Sequence, residues 1–497
     1  MVDTYRLLSR GEYDNDFSFL DYNSSFPTKE VRGRNTVYKW RHKQYTGEYA
    51  RNKCLIAMIN GVQSEIPYKV ISINYFKLIT DKMTDIVMNN DITVKTGDIE
   101  RDKKIIKLIE DKNWKDSIRK AFKLCTEYGD SCIKTYTGGC SVLSPLNCFK
   151  IVDKSDISKV IAYVLYEPIY NKYNNVETLE YIRFEIHFKG KIFEICKYYT
   201  GGSIGVDVEV NYRGRTIPKG GTWYDTGIDD CELVQWCSIN QEADGVYGES
   251  LYQSIQDIVF AIEQRISVNA HALDASLNPF IIIGADMVHS VKDPNTGIEK
   301  IELKLINDKF VLSAGDVNVK TVELNYNLEN SEHMINILQG YLYELSEMGK
   351  TYLSGEYSGN ISEETLNNTI KSAIDKANRI ISETYSSFRD SLYCLCRLNG
   401  IDIRKSDITI VFNVGRTDDD KTVAEICKTC TDIGLFSKHT LREKYYGYNK
   451  EQSDAEDAQI KRENELNSKS QNSVDENNNN KEIKEDLKNE SKTEQVD

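Results

Sequence analysis

The chain has 497 residues, a formal net charge of −14 and 40% hydrophobic residues, with a mean hydropathy of −0.50. That length holds two or more cores, and no apolar run approaches the roughly 20 residues that a membrane-crossing helix requires. Half the negative excess sits in residues 451–497, where 14 Asp and Glu face 7 Lys and Arg, so the overall charge does not describe the rest of the chain.

Met1-Val2-Asp3-Thr4-Tyr5-Arg6 lacks the basic start and apolar stretch of a secretory signal, which predicts synthesis and retention in cytoplasm. The first fifty residues interleave basic and aromatic groups, as in Arg32-Gly33-Arg34 and Lys39-Trp40-Arg41-His42-Lys43. They read as an arm (1–50) that meets phosphates or another subunit, or as a solvated surface arm. Helical patterns follow from Asn74 to Val87, Asp102 to Asp111 and Trp114 to Tyr128, an α-rich block.

Gly129-Asp130 ends the last of these helices, and from Ser131 to Val234 short alternating runs such as Tyr181-Ile182-Arg183-Phe184-Glu185-Ile186-His187-Phe188 predict antiparallel sheet. Gly138-Gly139, Gly201-Gly202 and Gly220-Gly221 are turn glycines. The chain contains neither G-x-x-x-x-G-K-S/T nor G-x-G-x-x-G, which argues against a nucleotide-driven motor.

Glu249 to Leu277 reads as one amphipathic helix roughly 40 Å long, either a rod in an elongated assembly or a core helix of a large domain. Leu251, Ile255, Ile258, Ile262, Ile266, Leu273 and Leu277 form its apolar stripe. Gln253, Gln256, Glu263, Gln264 and Asn269 form the opposite, polar face. Asn278-Pro279 stops the helix, and strand-like runs with polar breaks extend from Phe280 to Asn325. A second helix, Glu332 to Met348, ends at Gly349, which suits a left-handed cap.

The loop Lys350 to Asn360 is small, polar and glycine-punctuated, a pattern that favours mobility. Ser362 is a suitable N-cap, with Glu363 and Glu364 in the first turn of a helix reaching about Leu398. The strand Asp407–Asn413 follows. Thr417-Asp418-Asp419-Asp420 then opens another helix, its acids serving cap and dipole or, alternatively, Mg2+. Cys427 and Cys430 are the single C-x-x-C among twelve cysteines, and three-residue spacing places both on one helix face. Six histidines, none in H-E-x-x-H spacing, supply no metal-hydrolase signature. No catalytic residue, metal site or cofactor is assigned. Beyond about Asn467 the Ser, Asn, Lys and Glu composition predicts a disordered acidic tail (467–497).

The order of these segments resembles the portal proteins of tailed bacteriophages, the head-tail connectors of the siphophage type. Tyr247-Gly248-Glu249-Ser250-Leu251 resembles the Gly-x-Ser opening of that family's stem helix, Ile258 to Arg265 its helix body, and Asn278-Pro279-Phe280 the entry to its clip. Gly434-Leu435-Phe436-Ser437-Lys438-His439-Thr440-Leu441, with Asp454-Ala455-Glu456-Asp457 downstream, resembles the family's closing pattern. The family often has Ser-Gly followed soon by Ala before its long helix, whereas here Ser358-Gly359 leads to Asn360-Ile361-Ser362.

The resemblance implies an α+β portal fold. Its parts are an α/β wing (51–245 with 399–415), a long-helix stem (246–278 and 328–349), a small β-rich clip (279–327), a tunnel loop (350–361), a long wing helix (362–398) and a helical crown (416–466). The strand Asp407–Asn413 would join the wing sheet. Leu251, Ile255, Ile258, Ile262 and Ile266 would pack the stem. Lys350, Thr351, Tyr352, Ser354, Glu356, Tyr357, Ser358 and Asn360 would face the DNA channel.

It further implies a non-enzymatic homo-oligomer, usually of twelve subunits, at a capsid vertex of the virion, assembled in host cytoplasm. Its partners would be double-stranded DNA, the terminase large subunit, a head-tail connector or adaptor, scaffold and the major capsid protein. An acidic protein suits a channel through which DNA must slide, since dense Lys and Arg would bind phosphates tightly. Two other readings are a structural capsid or baseplate protein without a channel, and a DNA-processing enzyme.

Overall fold

A computed structural model describes residues 14, 16–50, 54–59, 62–89, 92–173, 176–242, 245–277, 280–284, 290–292, 299–301, 310–313, 320–322, 328–354, 363–414, 427–446 and 453–462. The chain divides into two compact units, Met1–Gly415 and Arg416–Asp497. Among the described residues no helix is long and apolar enough to cross a membrane.

Unit one begins with a 3-10 turn, Ser18–Leu20, and helix α1, Lys29–Thr46, whose N-cap Thr28 accepts from Val31 N. The hairpin β1 (Cys54–Ile59) and β2 (Val62–Lys69) leads to α2, Tyr75–Met88. Asn74 caps α2 with its side chain, in a left-handed conformation. Strand β3 (Ile92–Lys95), α3 (Ile99–Asp111) and α4 (Trp114–Tyr128) follow. The segment expected to be an arm is therefore largely helix. Phe19, Phe26 and Val31 bury against the main sheet, so the amino-terminal stretch is part of a core.

The sheet region opens with hairpin β4 (Asp130–Tyr136) and β5 (Gly139–Leu143) and continues through β6 (Cys148–Val152), β7 (Val160–Tyr173), β8 (Val176–Phe188), β9 (Lys191–Thr200) and β10 (Ser203–Asp207). These last five form an antiparallel meander. Strands β11 (Val210–Tyr212) and β12 (Arg215–Ile217) pair as a hairpin, and β13 (Thr222–Asp225) pairs with β9. Strand β14 (Val234–Ser238) returns to β4, placing Trp236 opposite Cys132.

Helix α5, Gln256–Leu277, spans about 33 Å at 1.5 Å per residue. It begins later than its apolar stripe suggests. Residues 251–255 form turns, with Gln253 N donating to Ser250 O and Ile255 N to Tyr252 O. Glu249 N and Leu251 N are engaged by Ile239 O and Thr126 O, so the start of the stripe is tied into neighbouring elements instead of a helical ladder.

Strands β15 (Phe280–Gly284), β16 (Ser290–Lys292), β17 (Glu299–Ile301), β18 (Phe310–Ser313) and β19 (Lys320–Val322) are short. β15 lies between a parallel β18 and an antiparallel β19. Helix α6, Leu328–Ser346, gives way at Glu347 and Gly349, both with positive φ. Lys376 Nζ donates to the terminal Ser346 O at 2.9 Å, a cation on the exposed carbonyls of a helix end.

A five-residue helix α7, Lys350–Ser354, precedes the 36-residue α8, Glu363–Leu398. Strand β20, Thr409–Phe412, pairs antiparallel with β3. It does not extend the large meander, because Ile408 and Ile410 bury in the helical core with Ile92 and Val94. That core collects the inner faces of α2, α4, α5, α6 and α8.

In unit two, residues 427–432 are helical and carry Cys427 and Cys430. Helix α9, Lys438–Tyr446, and helical residues 453–462 are clasped by Arg442, whose Nη1 reaches Ser453 O at 3.1 Å and Asp457 Oδ1 at 2.8 Å. Asp418, Asp419 and Asp420 lie outside the described residues, as does the tail from 467 onward.

Candidate functional site

The resemblance to a stem opening rests on Tyr247-Gly248, and the packing around these residues explains why a glycine and a tyrosine stand there. Asp130, fully buried at the start of β4, accepts hydrogen bonds from Tyr38 Oη at 2.6 Å, Trp236 Nε1 at 2.8 Å and Ser238 Oγ at 2.6 Å. Gly248 N approaches the same carboxylate at 3.1 and 3.0 Å. A Cβ on Gly248 would stand 2.5 Å from Ile239 O, and one on Gly129 would stand 2.5 Å from Gly248 O. Two backbones meet here with no room between them.

Tyr247 lies between two cations. The Arg34 guanidinium is 4.1 Å and Lys150 Nζ 5.3 Å from its ring centre. Arg34 Nη2 donates to Cys148 O at 3.0 Å, Lys150 Nζ to Val246 O at 2.7 Å, and Arg41 Nη1 to Tyr128 O and to Gly248 O. The basic residues of the expected arm thus split into two sets. Val31, Arg34, Tyr38 and Arg41, spaced three, four and three apart, are the buried face of α1, a helical period that mixed polarity conceals from a hydrophobicity reading.

Beside Arg34, Glu30 is half-buried with its side chain 9% exposed, and this burial pushes its carboxyl up to about 8 although Arg34 Nη1, 3.4 Å away, pulls the other way. Burial brings the Lys150 ammonium down to about 8, against the attraction of Asp130. Between an ordinary carboxyl value of 4.5 and about 8, the folded chain holds a proton on Glu30 that the unfolded chain has lost. Stability therefore falls as pH rises through that window. Between about 8 and 10.5 the unfolded chain holds the additional proton, on Lys150, and stability rises with pH. Urea midpoints are expected to drop from pH 5 to pH 8 and to drop less in Glu30→Gln; an equal drop in both proteins would mean that Glu30 is ionised in the fold.

In the turns ahead of α5, Leu251 and Ile255 are buried; along α5, Ile262 is buried, Ile258 and Ile266 are half-buried against the same core, and Val259 joins them fully buried. Two residues depart from the expected faces. Leu273 is 48% exposed, beyond the reach of that core. Glu263, placed by periodicity on the polar face, is 1% exposed. Its Oε1 accepts from Tyr49 Oη at 2.5 Å, Ser72 Oγ at 3.2 Å and Ile73 N at 3.0 Å. Ser267 Oγ accepts from Ile71 N at 2.8 Å, so residues 71–73 are sewn to the middle of α5. Nothing local marks Glu263, because its donors lie about 190 or more residues away.

Helix α6 packs on α5 through Leu342 and half-buried Ile335 and Leu338, and Ser331 Oγ meets Asn269 Oδ1 at 2.6 Å. Its adjoining face exposes Met334 (42%), Ile337 (39%), Tyr341 (53%) and Leu345 (49%). Spacings of three, four and four put these on one stripe, so the apolar arc of α6 is wider than the described residues cover.

Of the residues expected to face DNA, Lys350, Thr351, Tyr352 and Ser354 form helix α7 instead of a loop. The reason is local anchoring: Leu353 is buried in the main core and its N donates to Gly349 O. Tyr352 is half-buried, with Oη donating to Lys82 O at 3.2 Å and Lys82 Nζ 5.2 Å from its ring centre. Glu356, Tyr357, Ser358 and Asn360 lie outside the described residues. Among the described residues no group of three His, Cys, Asp or Glu is placed to hold a metal ion.

No curated protein matches the chain. The family model for the phage portal protein, SPP1 Gp6-like, matches residues 34–470, a span that includes the α1 face, the Tyr247-Gly248 junction, the α5–α6 pair and the Arg442 clasp. The chain belongs to the SPP1 Gp6-like family of phage portal proteins, virion components that serve DNA packaging.

Proposed function

We propose that this chain is the subunit of a ring that forms a double-stranded DNA channel at one capsid vertex, through which the genome is packaged and ejected. Helices α5 and α6 are its stem, the strands between Phe280 and Val322 its clip, the meander and its helices its wing, and the residues after Gly415 its crown. The clip docks the terminase large subunit during packaging and a head-tail connector afterwards. The segment from Lys350 to Ile361 approaches the duplex, with Lys350 at the exposed start of α7. Scaffold and the major capsid protein are its partners during assembly.

The observation that carries this reading is the uncovered apolar stripe of α6 in a member of a ring-forming family. In a closed ring each subunit presents two different faces, and the stripe Met334–Ile337–Tyr341–Leu345 is covered by the next copy. Negative-stain imaging with mass photometry tests it. The wild-type protein is expected to form rings of about a dozen subunits with a hole wide enough for a duplex, a stoichiometry that closed cyclic symmetry permits. Ile337→Asp, with its charge in the middle of the stripe, is expected to remain monomeric with an unchanged urea midpoint. A small closed oligomer without a pore would favour a structural capsid or baseplate protein, and rings that form equally well with Ile337→Asp would place the subunit contact elsewhere.

A further inference from the structure

Charge is distributed against the overall sign of the molecule. Between residues 29 and 127 there are 21 Lys and Arg against 13 Asp and Glu, within a chain of net charge −14. Part of this excess is used internally. Arg34 and Arg41 are buried on backbone carbonyls. On α4, Arg119 pairs with Asp85 and Lys123 with Asp81, which lie one turn apart on α2. Arg101 pairs with Asp98 and Asp407.

The others include six lysines on α1, α3 and α4 and at the α3–α4 junction. Lys39, Lys43, Lys104, Lys107 and Lys120 are exposed and Lys112 is half-buried, and among the described residues none of the six has a carboxylate partner. Three unpaired carboxylates, Glu110, Asp111 and Asp116, share those helices and leave the basic excess in place. Lys39 and Lys43 are four residues apart and Lys104 and Lys107 three apart, so like charges neighbour one another on their helices, an arrangement that costs an isolated helix a few tenths of a kcal/mol per pair. The three helices are contiguous through α4: Lys123 Nζ sits 5.3 Å from the ring of Tyr45 at the end of α1, and α3 joins α4 through Lys112 and Asn113.

We propose that these lysines bind the phosphate backbone of duplex DNA without reading its sequence, as a contact separate from the Lys350–Ile361 segment. The inference rests on the portal reading only in requiring that DNA reaches the protein. Lysine ammonium groups act as point charges toward phosphate and lack the fork that reads base edges. Exposed groups of this kind hold a polyanion weakly and reversibly, with an affinity set by salt.

The test is fluorescence anisotropy of a labelled duplex with the full-length protein across a potassium chloride series. The triple variant Lys104→Glu, Lys107→Glu and Lys120→Glu is expected to lower the slope of log K against log salt by about 2 to 3, since each phosphate contact contributes about 0.9. Its affinity at low salt is expected to fall at least about tenfold. Lys154→Glu with Lys219→Glu, exposed on the sheet region, is expected to leave the slope unchanged. An unchanged slope in a triple variant whose thermal melt matches wild type would overturn the proposal, as would equal losses in the control variant. Competition by polyglutamate as strong as that by duplex would overturn the assignment to DNA. Rings that form while the slope stays unchanged would refute this contact alone, whereas a reduced slope in a protein that never forms rings would refute the channel reading alone.

Discussion

Asp130→Ala is expected to destabilise the fold by roughly 4 kcal/mol, the largest effect of any single polar substitution in unit one. Four donors converge on this carboxylate: Tyr38 Oη, Trp236 Nε1, Ser238 Oγ and Gly248 N. They come from α1, from the middle and the end of β14 and from the approach to α5, so one side chain holds together segments far apart in sequence. Alanine leaves those donors without an acceptor in a region that is closed to solvent, each at about 1–3 kcal/mol before water enters to relieve them. It also leaves Lys150, whose charge Asp130 supports, more strongly penalised by burial. Urea unfolding of protein kept monomeric by dilution reads the result, with an unchanged m value showing that the native state retains its extent. Asp130→Asn keeps an acceptor oxygen and is expected to lose about half as much. A loss under about 1 kcal/mol for Asp130→Ala would mean that the donors find other partners and that the junction is held by packing alone.

Gly248→Ala is expected to cost about 3 kcal/mol, at the upper end of overpacking effects. The methyl group would sit 2.5 Å from Ile239 O. The obstacle is backbone on both sides, with Ile239 N bonded to Gly129 O and Glu249 N bonded to Ile239 O, so no flexible side chain can swing away. Relief requires separating the approach to α5 from β14 and α4. The consequence for function follows from that movement: α5 would leave the junction at a different angle, and ring closure, which repeats any angular error around the circle, would fail before the subunit unfolds. Gly340→Ala supplies the opposite sign. A Cβ there meets nothing within 4 Å, and the position is inside α6. It is expected to stabilise the monomer by roughly 0.5–1 kcal/mol. Comparable losses from the two substitutions would show that glycine flexibility, and not the close approach at Gly248, sets the effect.

Family membership and the placement of several elements follow from the sequence by itself. Trp114–Tyr128 is a helix because apolar residues recur at helical spacing between Asn113 and Gly129, and Tyr75–Met88 begins where an asparagine can cap it. The Gly-Gly pairs end strands where positive φ is required, as at Gly201 and Gly202. These are short-range properties, set by residues within a turn or two of one another. The tertiary structure decided the rest. Glu263 has the local context of a solvent-facing residue and becomes buried because Tyr49, Ser72 and Ile73 bring three donors to it. Arg34 and Arg41 look like surface cations until Cys148 O and Gly248 O accept their hydrogen bonds inside the fold. Thr409–Phe412 is legible as a strand, but its partner Ile92–Lys95 is more than 300 residues earlier. The helix over residues 249–277 loses its first turns because Ile239 O and Thr126 O take the amides of Glu249 and Leu251. In each case local periodicity states which face or conformation is preferred, whereas the satisfaction of buried polar groups is settled by whichever distant segment supplies the partner.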